Sequence, residues 1–80
     1  MTKKQFLSLA KYLKLGKTGV LPFEKDGFMN VHTSRFKCER LIQLVEIFKP
    51  NLKEKAAIRH GESCSSMLIP VTFFDDETDN

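Results

Sequence analysis

The sequence predicts a small α+β domain with the element order α-β-β-α-α-β and a three-stranded sheet packed against helices. Three observations point there. Apolar residues recur at helical spacing over residues 3–14 and 34–48, and alternate over 67–73. An Asp26-Gly27 pair separates two short apolar runs, as in a tight hairpin. Eighty residues, 41% hydrophobic and with seven phenylalanines, suit one small core rather than a disordered chain.

The first helix is expected over 3–14, where Phe6, Leu9, Ala10 and Leu13 form one buried stripe. Lys4, Ser8 and Lys11 run up its far side, Lys3 and Lys14 flank them, and Gly16 supplies the stop. VLPF and FMNV then flank EKDG, in which Gly27 provides the positive φ of the turn. EKDG lacks the spaced carboxylates of a calcium loop.

Thr33 or Ser34 caps a second helix over about 34–48. Its apolar residues, from Phe36 and Cys38 to Ile47 and Phe48, cover more than one stripe, so it is expected to be central and packed on two sides. Pro50 ends it by pushing Lys49 out of the helical region. Asn51-Leu52-Lys53-Glu54 has capping-box spacing and predicts a third helix over 52–59. HGESCSS reads as loop. Met67, Ile69, Val71 and Phe73 alternate onto one face of a last strand, in which Pro70 favours an edge or a bulge. A rival reading pairs KAAIRH with MLIPVTFF as a hairpin and gives a winged helix. The domain is expected to span 1–74, with 75–80 an acidic, flexible C-terminal tail.

The order α-β-β-α-α-β resembles that of the prokaryotic type of KH domain, an RNA- and single-strand-binding module. That family's GxxG loop clamps the nucleic-acid backbone. It would fall near residues 49–52, where this chain reads KPNL, so no binding residue carries over.

Charge is distributed unevenly. Residues 1–40 carry nine Lys or Arg against Glu24, Asp26 and Glu39, whereas 41–80 carry four against seven acids. Four of those acids lie in the final DDETDN, and without that hexapeptide the chain carries +7. A body so charged attracts polyanions. No apolar run reaches the ~18 residues of a membrane span. Lys11 and Lys14 interrupt the place where a secretion signal would hold its apolar segment. With only Cys38 and Cys64, a cytoplasmic or nuclear setting is expected, and the two could still pair with each other.

Motifs for catalysis fall short. LGKTG ends like a phosphate-binding loop, but the glycine required five residues before Gly16 is Lys11. Ser63, Cys64, Ser65 and Ser66 follow His60 without the glycine of a nucleophile elbow. His32, Cys38, His60 and Cys64 have only loose zinc spacing, and Cys38 falls among apolar helix positions. No enzyme activity, cofactor, metal or small-molecule substrate is therefore expected.

What remains is basic residues beside an aromatic one. The expected function is non-catalytic binding of nucleic acid, RNA or single-stranded DNA more than duplex. Lys4, Lys11, Lys14 and Lys17 would contact phosphates, Tyr12 would stack a base, and Arg35 and Arg59 would add contacts. The alternative is a protein-interaction module, an inhibitor or adaptor of a larger protein, or a homodimer. Exposure of Leu44, Ile47, Phe73 and Phe74 would favour it.

Overall fold

In the computed structural model, residues 1–15 and 21–76 are described. Thr2 begins helix α1 (Lys3–Tyr12) through a reciprocal cap. Its Oγ1 accepts the Gln5 backbone N–H at 3.1 Å, and Gln5 Oε1 accepts the Thr2 N–H at 2.9 Å. The helix stops two residues earlier than its periodicity predicts. Lys14 takes a left-handed φ of 53°, and Leu15, which follows it, is buried. Gly16, the expected stop, lies outside the described residues, as does Lys17.

The hairpin forms as expected between β1 (Phe23–Lys25) and β2 (Phe28–Thr33). Asp26 (φ 54°) and Gly27 (φ 80°) make the two-residue turn, both with the positive φ that matches the twist of the strands. Ser34 then caps α2 (Arg35–Phe48) by accepting the Lys37 N–H, and Lys49 before Pro50 is extended.

The third helix departs from expectation. Only one turn, α3 (Leu52–Lys55), is helical, and Ala57–His60 is a strand, β3. Asn51 has φ 73°, not the extended backbone of an N-cap, and its side chain caps nothing. Pairing of β3 with β4 (Ser65–Pro70) outweighs the helix preference of the alanines. The hairpin of the rival reading therefore forms, but not as a wing. β4 also pairs with β2 over six residues, giving one antiparallel sheet in the order β1-β2-β4-β3, four strands where three were predicted.

Pro70 is tolerated at the end of this central strand because β3 already ends opposite Leu68. Val71–Phe73 is a 3-10 turn rather than a continuation of the strand, and it turns both Phe73 and Phe74 inward. Phe74 meets Phe6 edge-on at 5.2 Å between ring centres.

Helices cover one face of the sheet. Cys38, Leu41, Ile42 and Val45 of α2 are buried with Met29 and Val31 of β2 and Met67 and Ile69 of β4. α2 is buried on one side only, contrary to the two-sided packing its composition predicts. Phe36, Ile47 and Phe48 are 80%, 72% and 71% exposed. The alternate residues of the sheet point the other way, in three cross-strand rows. One joins Lys25, Phe28 and Pro70, the next Phe23, Asn30, Leu68 and Ala57. The third joins His32, Ser66 and Arg59.

Gly27 is where the first hairpin tests the sequence most directly. A Cβ there would meet nothing within 4 Å, so steric crowding is not the issue. Its backbone φ of 80° is. Gly27→Ala is expected to destabilise the domain by about 1–2 kcal/mol in urea unfolding, the usual penalty of a left-handed non-glycine residue. A change within error would show that the turn is not held at positive φ.

Candidate nucleic-acid interface

On α1, residues 4, 8 and 11 share the side away from the core because they are spaced at i, i+4 and i+7. Lys4, Ser8 and Lys11 are exposed there, and Tyr12 beside them is 79% exposed. No acid lies in the helix. Lys3, next to Lys4 at the start of the helix, instead bridges to Glu24 of β1 at 2.7 Å.

The C-terminal end of α1 meets the start of α2. Lys37 Nζ donates to the Lys14 carbonyl at 2.6 Å, which sets Lys14 beside the first turn of α2. Arg35 belongs to that same turn and pairs with Glu39 one turn on, at 3.4 Å. Two cations thus occupy the first turn of α2, where the helix dipole is already positive, an arrangement that opposes helix stability. Their combined field reinforces that of the α1 lysines.

The residues singled out in the sequence divide into two groups. Lys4, Lys11, Tyr12 and Lys14 share α1 and its end, and Arg35 belongs to the first turn of α2. Arg59 stands apart, on the open face of the sheet in the row of Ser66 and His32. Phe23 and Phe28 are on that open face too, 50% and 39% exposed, and sequence reasoning passed over both. The signal was present: Met29, Val31 and Thr33 alternate with Phe28, Asn30 and His32, which puts a phenylalanine on the polar side of β2.

The histidines and cysteines take separate places. His32 Nδ1 lies 3.1 Å from Ser66 Oγ, and His60 Nδ1 lies 2.5 Å from Ser65 Oγ. Cys38 and Cys64 are both free thiols. Burial in the core, with Glu39 beside it, raises the pKa of the Cys38 thiol, so it stays protonated and inert. Among the described residues no three of His, Cys, Asp or Glu come together as a metal-binding group. Thr33 Oγ1 is buried without a hydrogen-bond partner.

Asp75 opens the acidic segment and is tied to the domain. Its N–H donates to the Met1 carbonyl at 2.8 Å, and its carboxylate meets the Met1 ammonium at 2.5 Å and Lys49 Nζ at 3.0 Å. Asp76 beside it is exposed, and residues 77–80, with the last two acids of the segment, lie outside the described residues. No described helix is long and apolar enough to cross a membrane.

The exposure criterion for a protein partner gives a split result. Ile47 is exposed and Leu44 half-buried, but Phe73 and Phe74 are buried. At the segment corresponding to the KH-type loop, Leu52 is wholly buried, which makes it a core anchor. Compared with protein-family models, curated proteins and solved structures, the chain matches none.

Hydrogen bonds from the ammonium and from Lys49 hold the Asp75 carboxyl below the ordinary aspartate range. A group depressed in this way contributes stability above its unfolded value, lost as pH falls through the folded one. An NMR titration should place the Asp75 midpoint below about 3.9, and Lys49→Ala should move it up. A midpoint indifferent to Lys49 would dissolve the pairing.

Proposed function

We propose that the protein is a non-catalytic nucleic-acid-binding protein that engages RNA or single-stranded DNA more than duplex through the basic face of α1. The observation that carries this reading is the acid-free, exposed alignment of Lys4 and Lys11 with Tyr12 beside them. Lysines on one helix face neutralise phosphates of a strand lying along it, and binding gains from the counterions released. A flat, exposed tyrosine adds stacking with a base, and base faces are accessible only where the strand is single. Lys14, at the end of α1, and Arg35, in the first turn of α2, extend the positive field. Two unpaired cysteines suit a cytoplasmic or nuclear setting.

The test is fluorescence anisotropy with labelled single-stranded RNA, single-stranded DNA and duplex DNA at several salt concentrations. Affinity is expected to fall steeply with salt, and the log–log slope to flatten by about 0.7 for each of Lys4, Lys11 and Lys14 changed to Gln. Absence of binding at low salt would retire the reading.

A second reading, a protein-interaction module acting as inhibitor, adaptor or homodimer, draws on α2. Phe36 and Ile47 lie at i and i+11 on one exposed side of that helix, with Phe48 adjoining. Apolar side chains so far out of the core mark contact surfaces. Under this reading sedimentation velocity shows concentration-dependent self-association, abolished by Phe36→Ser with Ile47→Lys. A wild type that stays monomeric at every concentration counts against the homodimer.

A further inference from the structure

The face of the sheet opposite the helices is covered by no described element, yet it is not an ordinary polar surface. Phe23 and Phe28 lie on it as diagonal neighbours across β1 and β2, since Phe23 is opposite Asn30 and Lys25 opposite Phe28. Leu68 of β4, 39% exposed, continues the apolar strip. None of the strand residues in the three outward rows is an acid. The acids nearest in sequence are Asp26 and Glu62 in the two hairpin turns, Glu54 on α3, and Glu24, whose pairing with Met29 puts it on the helix side.

The cations on this face stand at opposite corners. Lys25 is in the first row at one sheet edge and Arg59 in the third row at the other. Among the described residues neither forms an ion pair. Strand spacing of about 4.8 Å and a rise of about 3.3 Å per residue place those corners roughly 20 Å apart. Between them lie the two rings and a groove lined by Asn30, Ser66, Leu68 and Arg59.

Resting on the nucleic-acid reading above, we propose that this open sheet face is a second binding site, for single-stranded nucleic acid. Its bases stack on Phe23 and Phe28, and its phosphates meet Lys25 and Arg59. Charge complementarity selects the occupant, because an acid-free cationic face suits a polyanion and bare apolar rings suit base faces. The diagonal spacing of the rings, about 7 Å, is twice the roughly 3.4 Å rise of a stacked strand. Neighbouring bases must therefore separate to occupy both rings, which a duplex does not permit. Asn30, between the rings and Arg59, donates its amide N–H groups to the Phe23 and Phe28 carbonyls and offers its Oδ1 to a base edge, whereas Ser66 Oγ is paired with His32.

The experiment is a titration of the ¹⁵N-labelled full chain with an oligothymidylate and an oligouridylate of about ten nucleotides, read by amide shifts and anisotropy. Shifts are expected across all four strands, β3 included because it carries Arg59. Phe23→Leu and Phe28→Leu should each weaken binding about tenfold, and Phe→Tyr at either site should restore it, because the ring returns. Dispersed spectra of the leucine variants establish that they fold. Binding unchanged by the leucine variants but lost with Lys4→Gln and Lys11→Gln would overturn the sheet site and leave the α1 reading standing. No binding by the wild type would overturn both. Shifts on the same strands that grow with protein concentration alone would overturn the proposal, assigning the face to a second copy of the chain.

Discussion

The pairing of β2 with β4 is the constraint on which the rest of this structure depends. Six residues of each strand are in register, from Phe28 opposite Pro70 to Thr33 opposite Ser65. That register decides which side chains are buried. Met29 and Val31 face the helices together with Met67 and Ile69, and a slip of one strand by one residue would turn its own set to solvent. The partners are 32 to 42 residues apart in sequence, so closing this ladder is the expensive step in folding. Everything between them, α2 above all, must fit over the closed pair. β1 and β3 then attach to its two sides as short edges.

One helical layer on one sheet leaves the molecule with two unlike surfaces. A chain this short buries only about three-fifths of its unfolded surface, and the exposed apolar side chains show where coverage ran out. On α2 the buried residues keep to one stripe, and Phe36, Ile47 and Phe48 stay in water. On the sheet, Phe23, Phe28 and Leu68 are left half-covered. Positive charge follows the same division, with the α1 lysines on the helical side and Lys25 and Arg59 on the sheet side.

Much of the fold was legible in the sequence, and the failures have physical causes. Asp26-Gly27 announced its hairpin because few residues accept two successive positive φ angles, and Ser34 and Pro50 bracketed α2 by local chemistry alone. Asn51 misled because its capping-box spacing is a local signal, whereas the fate of Ala57–His60 is settled by a strand reached only in three dimensions. Composition overestimated the burial of α2, since hydrophobicity does not reveal how many neighbours exist to cover a helix. As for the candidate site, helical periodicity sufficed to align Lys4, Lys11 and Tyr12. It gave no means of separating Arg59 from them, because that separation depends on the sheet order.

Tyr12 has a spectroscopic consequence. The chain holds one tyrosine and no tryptophan, and that tyrosine already stands in water in the native state. Its emission is nearly blind to unfolding, which moves it from one aqueous environment to another. Anything that settles on the exposed side of α1 removes it from water. The molecule thus carries a native optical label, silent about its own folding and responsive to what lands on its first helix.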